Sequence, residues 1–236
     1  MKKLIMTLII LSFVGVCIAA SVQDAIRAVI ARKNTITGSV YLTDDFYDNS
    51  FDTAKWTEGT NPVSLVEEQN NRLEIISDGA RVALIRSDVL RSMQNTKVII
   101  KVTQLSTDWG LRILPTSAIS GEYGTSGEPN MYKFDMVASY ILSPNVIDGG
   151  SAAEVGGNSA GLTAPVWMRI RADDTTIYFD YAEQSAQPSE GQWTNISSET
   201  WDMGTGITQD NYVYLEAYNT PGYGEVHIEY FSWESL

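Results

Sequence analysis

The chain is short of the residues that most often build metal centres and nucleophilic catalytic sites. Among its 236 residues it has one cysteine, Cys17, and one histidine, His227. A single cysteine excludes an intramolecular disulfide, and the usual nitrogen and sulfur ligands of zinc are lacking. A Ser-His-Asp arrangement would have His227 as its one possible base, and the sequence has no nucleophile elbow. The sequence therefore predicts neither a zinc site nor a triad hydrolase.

Basic residues are also scarce, with 16 Lys and Arg against 29 Asp and Glu, which gives a net charge of -13. Because phosphate binding needs a concentrated positive surface, nucleic acid is not an expected partner. Hydrophobic residues make up 44% of the chain and charged residues 19%. This composition supplies a full core for one domain and gives no sign of extended disorder.

Long apolar runs are confined to the N terminus, where Leu4–Ala20 follows Lys2 and Lys3. A basic start, an apolar run and small residues at its end are typical of a secretory signal, so we expect removal of residues 1–20 and a secreted or cell-surface protein. The run is at the lower limit for crossing a bilayer. Contact with a membrane is therefore expected only if residues 4–20 are retained.

Residues 21–38 are predicted to form a short amphipathic helix and linker, because Val22, Ile26, Val29 and Ile30 recur at helical spacing. An apolar helix that runs into an amphipathic helix ahead of a β head resembles the plan of type IV pilin-like subunits. No prepilin cleavage motif accompanies it. This resemblance implies an alternative function, a structural subunit of a surface appendage or filament that assembles with copies of itself.

From residue 39 to residue 236 the hydrophobic pattern changes to period two, with Gly, Asn, Asp and Pro clusters between short segments. The apolar members of four such segments are Val82 and Leu84; Val98, Ile100 and Val102; Val166, Met168 and Ile170; and Val213, Leu215 and Ala217. Asp173-Asp174-Thr175 is a plausible hairpin turn. The pattern predicts one all-β domain over residues 39–236, a two-sheet antiparallel jelly-roll sandwich.

The opening of this domain resembles a known family. Asp44-Asp45-Phe46, then Phe51-Asp52 and Lys55-Trp56, then Asn71-Arg72-Leu73-Glu74-Ile75 resemble the first strands of concanavalin A-like (laminin G-like) jelly-roll domains. The resemblance implies a curved two-sheet sandwich with ligands held on the concave face or at its rim loops.

Members of that superfamily that cleave β-glucans carry a Glu-x-Asp-x-(x)-Glu strand, because two carboxylates must flank the glycosidic bond. The sequence has no such strand, and Glu216 lies among tyrosines without an acid two or four residues away. The resemblance therefore predicts a domain that is not an enzyme. The expected function is a non-catalytic extracellular carbohydrate-binding or adhesion domain.

The candidate ligand site is the set of outward residues on the later strands. These are Trp167, Arg169, Arg171, Tyr178, Asp180, Tyr212, Tyr214, Glu216 and Tyr218. Aromatic rings beside polar groups suit the stacking and hydrogen bonding of sugars, so a polysaccharide or glycoconjugate is the expected ligand. Tyr, Trp and Arg are equally characteristic of subunit interfaces, which leaves self-association open.

No cofactor is required by this interpretation, and structural calcium is the one metal that the sequence suggests. Asp44, Asp45 and Asp48 place several carboxylate oxygens near one turn, and such hard oxygen atoms are the ligands that calcium prefers. The group matches no complete calcium-loop motif.

Overall fold

The computed structural model describes residues 39–58, 65–77, 83–106, 109–115, 130–148, 151–200, 210–217 and 224–236. Val40–Leu236 forms one compact unit. The predicted signal at residues 1–20 and the predicted helix at residues 21–38 lie outside the described residues. Within the described ranges, none of the helices has the length and hydropathy of a membrane span.

The described strands form two sheets of eight strands each, and all strand pairings are antiparallel. Sheet 1 contains β1 (Val40–Asp44), β3 (Leu65–Gln69), β4 (Arg72–Ser77), β7 (Thr96–Leu105), β12 (Val166–Ala172), β13 (Thr176–Glu183), β14 (Thr194–Thr200) and β16 (Gly224–Ser235). Its order is β14-β13-β12-β7-β16-β4-β3, and β1 pairs with the C-terminal half of β16.

Sheet 2 contains β2 (Trp56–Glu58), β5 (Ala83–Ser87), β6 (Arg91–Ser92), β8 (Trp109–Pro115), β9 (Asn130–Val137), β10 (Ile141–Asp148), β11 (Ser151–Glu154) and β15 (Asp210–Ala217). Its order is β11-β10-β9-β8-β15-β5-β2, and β6 also pairs with β15. Single 3-10 turns at Ala138–Tyr140 and Glu190–Gln192 are the only described helices. The predicted all-β antiparallel jelly-roll sandwich is confirmed.

One hydrophobic core lies between the sheets. Sheet 1 contributes Val98, Ile100, Val102, Val166, Met168, Ile170, Phe179, Phe231 and Trp233, and sheet 2 contributes Ile85, Trp109, Phe134, Met136, Val213, Leu215 and Ala217. These residues alternate along their strands because successive side chains point to opposite faces. The inward sets predicted on β7, β12 and β15 are confirmed, and the polar residues between them face outward.

Two local predictions had different outcomes. The hairpin turn is confirmed, since β12 and β13 pair from Ala172 and Ile177 outward, and the Asp173 carboxylate accepts hydrogen bonds from the Thr175 and Thr176 amides. In β5 the structure places Ile85 in the core, and the side chain of Leu84 lies outside what the structure describes.

Candidate functional site

Two carboxylates lie in one row on the outer face of sheet 2. Glu216 of β15 is the register partner of Gly110 on β8, and Gly110 is also the partner of Asp135 on β9. Register partners in neighbouring strands share a face, so both acids project away from the core on either side of a residue without a side chain. Asp135 is 4% exposed and Glu216 2% exposed.

The adjacent row on the same face is basic and aromatic. Tyr214 is the register partner of Arg86 on β5 and of Arg112 on β8, and Arg112 is in turn the partner of Lys133 on β9. The row continues to Asn145 on β10. This face of sheet 2 therefore presents the basic side chains of Arg86 and Lys133 next to a row with two acids.

The two rows are joined by an ion pair within β9. Lys133 Nζ lies 2.5 Å from Asp135 Oδ2, and both side chains are mostly buried. The two residues are two positions apart on one strand, which places them on the same face. A close ammonium group stabilises the ionised form of a carboxyl group.

Beyond β15, the basic row ends in a fixed guanidinium group. Arg86 stacks over the ring of Tyr212 with 4.5 Å from Cζ to the centroid. Its Nη2 donates to Thr57 Oγ1 at 3.4 Å and to Asp88 Oδ1 at 3.3 Å. Tyr212 and Arg86 thus form a cation–π pair of a kind that holds both side chains in one orientation.

The sequence of strand β9 can be compared with the Glu-x-Asp-x-x-Glu spacing of the glucanase motif. It reads Lys133-Phe134-Asp135-Met136-Val137 and is followed by Ala138. This segment has an aspartate at the centre of the Glu-x-Asp-x-x-Glu spacing, with lysine and alanine at the two glutamate positions. Strand β9 itself therefore supplies one carboxylate, Asp135, to this face.

The predicted ligand residues do not share one surface. Tyr212, Tyr214 and Glu216 lie on the outer face of sheet 2, whereas the set on β12 and β13 lies on the outer face of sheet 1, on the opposite side of the sandwich. Tyr218 lies outside the described residues. The sheet 1 members are Trp167, Arg169, Arg171, Tyr178 and Asp180.

On sheet 1 these residues form a closed polar network. Asp180 is 1% exposed and accepts from Arg169 Nε at 2.9 Å and from Arg171 Nε at 2.8 Å. Asn195 Nδ2 donates to its other oxygen at 2.8 Å. Arg169 also stacks on Trp193 at 4.3 Å and pairs with Glu190 at 2.7 Å. The carboxylate and guanidinium groups are thus used for contacts within the protein.

The aromatic member of that set is also covered. Trp167 is buried in a small cluster with Ile99 and Ala182, against which Trp193 and Tyr230 pack. Its indole nitrogen donates to the Gln184 carbonyl at 2.9 Å. The role of the sheet 1 residues in ligand binding stays a prediction, and their contacts in the structure are with other residues of the protein.

The three predicted calcium ligands point to different groups. Asp44 is buried and accepts from the Phe46 amide at 3.2 Å and from the Trp56 indole at 2.8 Å. Asp45 and Asp48 accept from the amides of Tyr47 and Ser50, two residues further on. Within the described ranges, no three His, Cys, Asp or Glu side chains are placed to hold one metal ion. These hydrogen bonds fix the orientation of the three aspartates, and calcium binding by them stays a prediction.

The comparisons with known proteins give a fold and no sequence family. No protein-family model and no curated protein sequence matches the chain. Solved structures do match. One is an endo-acting O-glycanase of the kind that members of the human gut microbiota express to initiate mucin breakdown. It is 12% identical, with a TM-score of 0.63, over 84% of this chain and 100% of that chain.

Two further similar structures are glucanases. LamA from Zobellia galactanivorans, in complex with laminaritriose and laminaritetraose, is 12% identical with a TM-score of 0.64 over 84% of this chain and 99% of that chain. SCLam, a non-specific endo-β-1,3(4)-glucanase from family GH16, is 10% identical with a TM-score of 0.61 over 85% of this chain and 92% of that chain. The concanavalin A-like jelly-roll fold is therefore confirmed.

These structures correct the functional expectation drawn from the sequence. The hypothesis of a non-catalytic binding or adhesion domain, with a filament subunit as the alternative, is wrong, because the similar solved structures include endo-acting glycanases and glucanases. The expectation that the chain is not an enzyme is overturned with it. That expectation considered two acids on one strand, whereas Asp135 and Glu216 lie in one row on β9 and β15.

Proposed function

We propose that the protein is an endo-acting glycoside hydrolase that binds and cleaves a polysaccharide on the outer face of sheet 2. The observation that carries the proposal is the placement of Asp135 and Glu216 on either side of Gly110 in one row of that face. The likeness of the fold to endo-glycanases supports the reaction class. A fold alone does not define a reaction, so the argument rests on the two carboxylates.

The spacing of the two acids suits a single displacement. Asp135 and Glu216 lie two strands apart, so their Cα atoms are about 10 Å from each other. Inverting glycosidases hold their carboxyl groups about 6.5–9.5 Å apart, which leaves room for a water molecule beside the glycosidic bond. Carboxyl groups at this Cα spacing or slightly closer fall in or near that range.

The surroundings of the acids assign their roles. The ammonium of Lys133, 2.5 Å from Asp135, stabilises the charged carboxylate, which is the form that a general base needs. Asp135 then takes a proton from the attacking water. The proton for the leaving oxygen comes from Glu216, the second buried acid of this row. Water adds to the anomeric carbon as the glycosidic C–O bond breaks, with no group transferred to the protein.

The same face has features that hold a glycan. Tyr212 is half-buried beside Arg86 and is the ring that a sugar can reach. Tyr214, in the row next to Glu216, is 4% exposed. Aromatic rings near polar groups bind sugars by stacking while hydroxyl groups form hydrogen bonds. The proposed reaction uses two carboxylates and water, so no cofactor takes part in it.

The experiment is a hydrolysis assay with a panel of purified polysaccharides, followed by reducing ends and by product size. The wild-type protein should cut at least one of them internally. Asp135→Asn and Glu216→Gln should each lower kcat by about 10²–10⁴-fold, the usual contribution of a general acid or base. Glu229→Gln is the matched control, because Glu229 is a partly exposed acid of sheet 1 paired with Lys101. Hydrolysis of no member of the panel, or full activity in both acid variants, would contradict the proposal.

The proposal includes a secreted location. It draws on the basic and apolar start of the chain, with residues 1–20 removed and residues 21–38 preceding the catalytic domain at residues 39–236. N-terminal sequencing of the protein from its native source tests this. A mature chain that begins near Ser21 agrees with it, and a retained Met1 contradicts it.

A further inference from the structure

The one histidine of the chain, His227, is a buried group on the outer face of sheet 1, since its neighbours Val226 and Ile228 lie in the core. We propose that His227 is a pH-sensitive switch. In its neutral form it allows the first segment of β16, Gly224–His227, to pack against β4 and β7, and its protonation below neutral pH loosens this segment. His227 and the proposed catalytic acids lie on different sheets, so the switch is independent of the proposed reaction.

The ring of His227 is enclosed and lacks hydrogen-bond partners. It is 2% exposed, and its register partners are Glu74 on β4 and Gln104 on β7. Neither ring nitrogen has a hydrogen-bond partner among the described residues, although Nε2 lies 3.1 Å from Glu225 Oε1. A neutral imidazole has one N–H donor, whereas the protonated ring has two donors and a charge. Burial without partners therefore costs the protonated form more free energy than the neutral form.

The two acids beside His227 already accept hydrogen bonds from other donors. Glu225 Oε1 accepts from Gln104 Nε2 at 2.6 Å, and Glu74 Oε1 accepts from Arg72 Nε at 2.8 Å. The guanidinium of Arg72 also brings a positive charge to this region, and a like charge disfavours protonation of the imidazole. The surroundings of His227 therefore favour a neutral ring.

The charged groups around His227 act in opposite directions. Burial, followed by the charge of Arg72, lowers the pKa of His227 below its ordinary value of 6.5, and the charges of Glu225 and Glu74 offset only part of this. In the row of His227 and the next row, the remaining charged side chains among the described residues are Glu67, Lys101 and Glu229. Because the loosened segment binds a proton at a higher pH than the packed one, the stability due to a neutral His227 is present above pH 6.5. It is lost as the pH falls below that value.

The ladder between β16 and β7 is interrupted directly after His227. Between His227 and Ile228 the register shifts by one residue, which leaves Thr103 of β7 without a partner in the ladder. Such a bulge disrupts strand pairing locally. The segment Gly224–His227 is therefore set apart from the rest of β16, and it can loosen without separation of the strands beyond the bulge.

The first test is a proton NMR titration of the protein produced without a histidine tag. His227 then gives the one imidazole C2 proton resonance of the chain, so its assignment is unambiguous. The midpoint in the folded protein should lie below the midpoint in concentrated urea, where an exposed histidine titrates near pH 6.5. A midpoint in the folded protein equal to or above the value in urea would overturn the proposal.

The second test is hydrogen–deuterium exchange of the wild-type protein at pH 5.5 and pH 7.5, with each rate corrected for its intrinsic pH dependence. At pH 5.5 an exposed histidine is about 90% protonated, so the opening of residues 224–228 should increase by up to about tenfold relative to pH 7.5. The hairpin of β12 and β13 lies in the same sheet and is the internal control, which should not share this increase.

The matched variant is His227→Gln, whose amide does not titrate in this range. Every other titrating group is the same in both proteins, so the variant should lose the increase at residues 224–228. An equal increase in both proteins, or an equal increase in residues 224–228 and in the β12–β13 hairpin, would overturn the proposal. If the variant does not fold, the NMR midpoint and the contrast between the two segments of the wild-type protein remain decisive.

Discussion

The indole nitrogen of Trp56 donates a 2.8 Å hydrogen bond to Asp44 Oδ2 inside the core. Asp44 ends β1, which belongs to sheet 1, and Trp56 begins β2, which belongs to sheet 2. The ring of Trp56 also packs edge-on against Phe231 at 4.8 Å. One buried carboxylate therefore ties the first strands of the two sheets together.

This bond predicts a large stability loss in Asp44→Ala. The substitution leaves the Trp56 indole and the Phe46 amide without their acceptor, and hydrogen bonds to charged groups contribute about 1.5–3 kcal/mol. We expect the free energy of unfolding to fall by about 2 kcal/mol, measured by urea denaturation. Asp45→Ala is the control, because Asp45 is exposed and accepts one long bond from Tyr47. A loss below 0.5 kcal/mol in Asp44→Ala, the usual range of surface substitutions, would refute the assignment.

The alternation of polar and apolar residues predicts most of the fold. On β5 it does not determine which face of the strand points to the core. On β12, Val166, Met168 and Ile170 are separated by large polar or aromatic residues, so one face is defined. On β5, Leu84 and Ile85 are adjacent, and a shift by one residue exchanges the faces. The pairing of Arg86 with Tyr214 decides the register, and that contact lies between distant parts of the chain.

Glu68 predicts a fall in stability as the pH rises. Burial, followed by the hydrogen bond with Asp48 and the charges of Asp44 and Asp48, raises the pKa of Glu68 from 4.5 to about 7. The folded state then holds a proton between about pH 4.5 and pH 7 that the unfolded state has released. Stability contributed by this proton is present below pH 4.5 and is lost as the pH rises to about 7.

Glu68→Gln isolates this effect, because a glutamine stays uncharged. The melting temperature of the variant relative to that of the wild type should rise from pH 4 to pH 8. At pH 8 the variant should have the higher melting temperature. Glu67→Gln, one residue away on β3 with its side chain on the other face of the strand, is the control and should run parallel to the wild type. Parallel curves for Glu68→Gln would instead show that this carboxyl group titrates alike in both states.

The network around Asp180 on sheet 1 predicts a loss of stability in Asp180→Asn. Asp180 is the shared acceptor of Arg169 and Arg171, and loss of one partner from a buried ion pair typically costs 3–5 kcal/mol. We expect a fall of this order in the free energy of unfolding. Glu199→Gln, an exposed acid on the neighbouring β14, is the control. Unchanged stability together with loss of glycan binding would restore the sheet 1 residues as a ligand site.

The candidate site was only partly visible in the sequence. The alternation of the sequence predicts an outward face for Glu216 and its neighbouring tyrosines, and the structure places Tyr212 half-buried on that face. The sequence gives no signal for Asp135, because its partner is not on its own strand. Gly110 brings the two together through pairing on both of its sides, and no local spacing encodes such a contact. The alternation of Lys133 and Asp135 on β9 is the one sequence feature that indicates a polar face on this strand.

The separation of Asp135 and Glu216 predicts the stereochemistry of the reaction. Two carboxyl groups spaced across an intervening strand leave space for a water molecule to attack opposite the leaving group, whereas acids about 5–5.5 Å apart form a covalent intermediate and retain configuration. The new reducing end should therefore have the anomeric configuration opposite to that of the bond cleaved. Proton NMR in the first minutes of hydrolysis, before mutarotation, records the anomer directly. A retained configuration would show that one acid attacks the sugar, and it would contradict a single displacement by water.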